Sequence, residues 1–199
     1  MLYLKILIVA LIAYLIGSFP TGYIAVKAKT GQDIRTLGSG STGATNVKRV
    51  LGKRWFILVM VIDFIKGALP VILTFRLFKD PYGYFALAAA LGVILGHSKS
   101  IFLGFKGGKS VASGIGALFA MSPIVGILIA FIWACVTFVT KYVSVGSIVA
   151  ITFAPIYMLY YKRPVAYSIY AIIAAIYIIF LHRDNIKRLL KGEESKIRK

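Results

Sequence analysis

Acidic side chains are scarce in this chain: six Asp and Glu stand against 24 Lys and Arg, a formal net charge of +18. So few carboxylates exclude a proton relay, which needs acids repeated along membrane spans, and no long apolar stretch here carries more than one. Histidine is limited to His97 and His182, and cysteine to Cys135. Those three residues lie far apart and match no zinc spacing, so no metal and no cofactor is expected. A lone cysteine rules out a disulfide within the chain, and its apolar neighbours predict a small buried hydrophobe.

Apolar residues, by contrast, make up 59% of the chain, with a mean hydropathy of +0.86, where soluble domains hold about 45–50%. High charge and high hydropathy fit together when apolar spans are joined by basic loops. A helix crosses a bilayer in about 20 apolar residues, since its backbone hydrogen bonds are all internal. Candidate spans are 3–26, 55–78, 82–97, 144–161 and 164–181, together with 111–140. The stretch 111–140 is too long for one ordinary crossing and contains Ser122-Pro123, where proline disfavours helix at the preceding residue. One kinked helix or two short helices both fit it. The N-terminal run passes the length of a signal-peptide core without a small-x-small cleavage site, which predicts a retained span.

The cations set the parity. With 111–140 as two helices and the N-terminus outside, the basic clusters at 27–35, 48–54, 99–109 and 183–199 all fall inside. Lys5, Arg76, Lys79, Lys162 and Arg163 then lie outside, and Lys66 lies within a span; one span fewer would put the cationic tail outside. The expected fold is all-α: a polytopic membrane helix bundle of about seven transmembrane helices, N-terminus outside, C-terminus cytoplasmic, with 1–199 as one integral-membrane domain. Tyr82, Tyr84, Tyr157, Tyr160 and Tyr161 gather at the predicted outer ends, as an interfacial belt does. Asp80 falls on the side opposite both histidines, so no Ser-His-Asp set can assemble. Asp63 and Lys66, three apart on one helical face, are expected to pair.

This topology puts every glycine- and hydroxyl-rich polar segment on the inner side: 38–49 "GSGSTGATNVKR", 96–110 "GHSKSIFLGFKGGKS", 141–147 "KYVSVGS" and 182–194 "HRDNIKRLLKGEE". Gly38, Gly40 and Gly43 let the backbone curl so that N–H groups converge on an anion. Ser39, Ser41, Thr42 and Thr45 add hydroxyls, Asn46 an amide, and Arg49 a guanidinium suited to phosphate. Lys106 and Lys109 sit among the glycines of the second segment, and Ser147 closes the third. The run "LGFKGGKS" invites an ATP-loop reading, but that pattern needs a glycine where Leu103 stands. What remains is a flexible cationic loop fit for a phosphate.

These segments resemble the bacterial membrane glycerol-3-phosphate acyltransferases that use acyl phosphate. The similarity begins at "GSFPTGY" (17–23), is strongest in the 38–49 and 96–110 segments, and returns at 182–194. The resemblance implies acyl transfer from acyl phosphate to the 1-hydroxyl of glycerol-3-phosphate, giving lysophosphatidic acid and phosphate at the cytoplasmic face of the bacterial inner membrane. It maps family roles onto Ser39, Asn46 and Arg49, onto Gly107, Gly108 and Lys109, and onto His182 and Asn185, with Glu194 matching a glutamate tied to integrity. Lys109, His182 and Asn185 are the catalytic candidates; Ser39, Thr42, Thr45, Asn46, Arg49, Gly107, Gly108 and Ser147 are the substrate-binding ones. His182 is the side-chain candidate for general base by its ordinary pKa, with a phosphate oxygen of the donor as its rival. The expected partners are the two substrates and membrane lipid, with no nucleic acid. A thioester-type His-x₄-Asp box is absent, since Phe102 and Lys187 stand where its aspartate would fall. The competing class is an organic-anion transporter with a basic cytoplasmic vestibule, which calls for polar residues at mid-span. The third is a structural membrane protein whose basic loops bind lipid.

Overall fold

The computed structural model describes residues 1–197; Arg198 and Lys199, counted in the basic tail, lie outside the described residues. Helix α1 (Leu2–Ser18) stops at Phe19, extended ahead of Pro20, and α2 (Thr21–Thr30) closes on the left-handed Gly31. The stretch expected as one span, 3–26, is broken into two helices that together still make one candidate span, Leu2–Thr30. Next come α3 (Ala44–Leu51), α4 (Lys53–Leu77) and α5 (Tyr84–Ser98). The 111–140 stretch resolves into α6 (Val111–Met121) and α7 (Pro123–Thr140), parted by extended Ser122, with Pro123 in the first helical position. Helices α8 (Val143–Tyr160), α9 (Val165–Leu181) and the polar α10 (Arg183–Leu190) complete the chain. Among the described residues no strand occurs.

Among the described residues five helical segments are long and apolar enough to cross a membrane, or six if α9 and α10, bent by 54°, count as one span. Helix α6 is the exception. At eleven residues it extends about 16 Å, half of the hydrocarbon thickness of about 30 Å. Of the two alternatives for 111–140, the two-helix one is found, and one of the seven expected passes is thereby of half length.

In lipid, helices associate by close backbone approach at small residues. Gly92 and Gly96 of α5 lie against the carbonyl oxygens of Ala10 and Tyr14 in α1, so closely that a Cβ on either would collide. Gly67 of α4 and the Ser113 backbone of α6 meet in the same way. The buried core runs through α5 (Ala86, Ala89, Val93) to Ile129 of α7 and Tyr170 of α9. The outer surface is apolar as well: Leu11, Phe131, Phe138 and Ile176 are all more than half exposed. Cys135 corrects an expectation. It is exposed on α7, so its apolar neighbours mark a surface turned to lipid and not the protein core.

Candidate active site

The polar segments meet at the end of the bundle where α4, α6 and α8 begin and α5, α7 and α9 end. Asn46 shapes the first segment. Its Nδ2 donates to Leu37 O and Ser41 O, both at 2.9 Å, and its Oδ1 accepts from Ser39 N at 2.9 Å. The buried amide thus spends its capacity on closing the 37–46 loop. That loop delivers the chain to the N-terminus of α3, where Asn46 N and Val47 N both donate to Gly43 O, at 3.0 and 3.2 Å, and the N–H groups ahead of them point back toward the loop. Ser39, Thr45 and Arg49 stand around this helix start. Among the described residues Arg49 has no protein hydrogen bond, so its guanidinium remains available to an anion.

The second segment is drawn into the bundle. Ser110 Oγ donates to Ile94 O at 2.7 Å, one turn inside the end of α5, and Gly108 N donates to His97 O at 3.0 Å. Phe105 (φ 59°) and Ser110 (φ 58°) take left-handed backbone conformations unusual for residues with a side chain. Lys109 lies between the hydrogen-bonded Gly108 and Ser110, with its ammonium donating to Asn185 Oδ1. Asn185 Nδ2 donates to Glu194 Oε1 at 2.6 Å, and that carboxylate also accepts from Ser144 Oγ at 2.8 Å and Arg188 Nε at 2.7 Å. Burial would raise the Glu194 carboxyl, but these donors outweigh it and hold its pKa below the usual range. Burial pushes the Lys109 ammonium down to about 8, and Arg188 and Arg49 add to the effect.

His182 is buried at the turn between α9 and α10, with Nδ1 2.7 Å from Ile178 O. A carbonyl only accepts, so Nδ1 carries the proton and Nε2 keeps its lone pair. Burial pushes the imidazole down to about 4, against the opposing Ile178 hydrogen bond. His182 is therefore neutral at pH 7 and a weak base. Its ordinary pKa, on which the sequence reading rests, does not survive burial.

One cavity of about 1130 Å³ gathers these groups, more than the 300–1,000 Å³ of a typical single-ligand site. Ser39, Thr45, Asn46, Arg49, Lys109, Ser147, His182 and Asn185 all line it. Three candidates do not. Thr42 turns to a separate small pocket, and Gly107 and Gly108 pack on His97, where a Cβ on either would strike that residue. Ser147 lines the cavity with its hydroxyl engaged, accepting from Trp133 Nε1 at 3.2 Å and donating to Val143 O at 2.8 Å. Sequence pattern does not single out Ser144 or Trp133; the signal for Ser144 is its place one turn before Ser147 on α8. Away from the cations the wall is apolar. Phe56, Met60 and Phe64, one turn apart on α4, face Ile115 and Ala130. Val61 belongs to this wall and is half exposed, in line along α4 with the exposed Leu58, Ile65 and Leu69 of the outer apolar surface. Asp63 and Lys66 pair at 2.8 Å as expected. Among the described residues no cluster of three or more His, Cys, Asp or Glu could hold a metal ion.

Fold and site together define an integral-membrane helical protein with a large chamber that is lined by basic and polar groups at one end and by apolar side chains at the other. The family model described as glycerol-3-phosphate acyltransferase matches residues 7–192. A glycerol-3-phosphate acyltransferase of Nostoc sp. (strain PCC 7120) is 45% identical, over 95% of this chain and 90% of its own length. That of Synechococcus sp. (strain JA-3-3Ab) is 43% identical, over 98% and 95%. The crystal structure of PlsY (YgiH), an integral membrane glycerol 3-phosphate acyltransferase in its glycerol 3-phosphate form, superposes with a TM-score of 0.92 at 38% identity, covering 98% of this chain and 96% of that one. A lysophosphatidic acid form of the same enzyme gives 0.88 at 36%, with the same coverage. This chain belongs to the glycerol-3-phosphate acyltransferase family, and the resemblance carried by its loop motifs is borne out.

Proposed function

We propose that the chain moves a fatty acyl group from acyl phosphate to the 1-hydroxyl of glycerol-3-phosphate, at the cytoplasmic face of the bacterial inner membrane. One observation carries the reading: Arg49 and Lys109 stand at the polar end of a chamber whose other wall is apolar and includes Val61, in line with the outer apolar surface. A water-soluble phosphate ester and a lipid-soluble acyl phosphate meet only in such a place. The positive-inside bias supports the orientation, with seven helical passes counting the half-length α6 and the basic end cytoplasmic.

The two substrates repel each other as anions, so much of the catalytic task is to hold them together. Arg49, Ser39 and the α3 N-terminus take the glycerol-3-phosphate phosphate, while Lys109, aimed by Asn185 and Glu194, neutralises charge between the two. His182 Nε2 accepts a hydrogen bond from the 1-hydroxyl and orients it. That oxygen attacks the acyl carbon and forms the ester bond. The bond between acyl carbon and phosphate oxygen breaks, and phosphate leaves with the hydroxyl proton. A histidine as weakly basic as this one is suited to aligning the hydroxyl, and the departing phosphate, whose expelled oxygen is far more basic than an imidazole, to keeping the proton as hydrogen phosphate. The test is to measure phosphate release and labelled lysophosphatidic acid together in detergent. Equal amounts are expected; phosphate without lysophosphatidic acid would show a hydrolase and sink the reading.

A further inference from the structure

Beneath the glycine loop lies a second pocket that this chemistry does not use. Ser18 and Thr21 from the α1–α2 break, Asp63 and Lys66 of α4, and His97 of α5 enclose it, and its volume of about 10 Å³ suits a single water. Two of these residues carry buried polar atoms with no protein partner: Ser18 Oγ (residue 1% exposed) and His97 Nδ1 (7%). His97 Nδ1 lies 3.8 Å from Asp63 Oδ1, too far for a hydrogen bond. The same Asp63 oxygen accepts from Thr21 Oγ1 at 3.0 Å and pairs with Lys66 Nζ at 2.8 Å, while Lys66 also donates to Phe19 O at 2.8 Å. The Lys66 ammonium makes the pocket hostile to a cation, and the Asp63 carboxylate makes it hostile to an anion. A neutral ligand with both donors and acceptors fits, because buried polar groups are as a rule paired with protein or with ordered water.

The other side of His97 faces the active site. Its carbonyl accepts from Gly108 N at 3.0 Å, its ring lies so close under Gly108 that a Cβ there would strike Nε2, and the residue also lines the large cavity. Lys109 is the next residue along. We infer that the pocket holds one structural water, accepting from His97 Nδ1 and Ser18 Oγ and donating to Asp63, and that the His97 so fixed is a positioning residue for Lys109. The second half rests on the reading that Lys109 holds substrate phosphate.

Two measurements test this. A high-resolution density map of the wild-type protein should show one peak within hydrogen-bonding distance of Ser18 Oγ, His97 Nδ1 and Asp63 Oδ1; a featureless pocket overturns the water. In steady-state kinetics, His97→Ala should raise KM for glycerol-3-phosphate between about 10- and 100-fold, as small misplacements do, with a smaller change in kcat. His97→Asn, which keeps a donor at the Nδ1 position, should recover most of that loss. In a Lys109→Ala background His97→Ala should add nothing further; effects that multiply overturn the positioning role. If His97→Ala is not monodisperse in detergent, Ser18→Ala, which removes a partner of the same water, carries the cycle with Lys109→Ala in its place. A Lys109→Ala protein with unchanged KM would refute the phosphate role itself, a failure distinct from a featureless pocket.

Discussion

Lys109 makes the account testable by pH alone. Its ammonium, lowered to about 8 by burial and by the nearby Arg188 and Arg49, is charged in roughly nine-tenths of molecules at pH 7 and in roughly one-tenth at pH 9. Losing the charge forfeits a charge-assisted hydrogen bond, worth about 1.5–3 kcal/mol. The value of kcat/KM for glycerol-3-phosphate, which reports groups of the free enzyme, should therefore fall about tenfold per pH unit above 8 and level off about 10- to 150-fold down. Phosphate monoesters lose their second proton near pH 6, and His182 titrates near 4, so neither contributes to this limb. Lys109→Arg provides the control. Its guanidinium stays charged across the range, so the alkaline limb should disappear even if the absolute rate drops. Initial rates from pH 6.5 to 9.5, corrected for spontaneous acyl phosphate hydrolysis, measure it. A wild-type profile flat to pH 9.5, or a limb that persists in Lys109→Arg, would refute the reasoning.

Arg49→Ala should raise KM for glycerol-3-phosphate by about 10- to 150-fold, the cost of a lost charge-assisted phosphate contact. Lys27→Ala, at a surface residue that donates to Gly31 O, should leave KM near wild type; equal effects would reduce both to surface electrostatics. Glu194→Gln removes the charge on which Asn185, Ser144 and Arg188 converge, and should lower both kcat and Tm in a thermal-shift assay. Because the folded-state pKa of Glu194 is depressed, its stabilisation is present above the usual carboxylate range and is lost as pH falls through the lowered value. The variant should accordingly flatten the acid side of the stability profile, and an unchanged Tm and profile would contradict its role. Single cysteines in a Cys135→Ala background should react with an impermeant reagent from outside at position 79 and only from inside at position 36; outside labelling at 36 would overturn the orientation.

Much of the fold could be read from hydropathy, because each apolar run is about as long as a bilayer is thick and each break is polar or holds proline. Boundaries of the later spans fall within two residues of expectation, as with 144–161 against Val143–Tyr160. The break at Phe19-Pro20 escaped notice because Ile24, Ala25 and Val26 continue the apolar pattern beyond it. The end of α6 is marked by Ser122-Pro123, but its seat is a tertiary outcome: Gly67 and Gly116 let it lie deep against α4. In the candidate site the cationic loops stood out as polar interruptions of apolar sequence. The division of labour among their residues did not. Asn46 closes a loop across nine residues, and Ser144 meets Glu194 across fifty; neither contact has a local signature. The burial that weakens His182 as a base likewise arises only when α9 and α10 bend around it.

The central claim is acyl transfer from acyl phosphate by this chain without helpers. Purified protein in detergent, with EDTA and no nucleotide, should be given radiolabelled glycerol-3-phosphate and either an acyl phosphate or an acyl thioester of the same chain. Labelled lysophosphatidic acid is expected from acyl phosphate alone, the mark of direct transfer from that donor. Product from the thioester alone, or only after a metal or nucleotide is added, would contradict it.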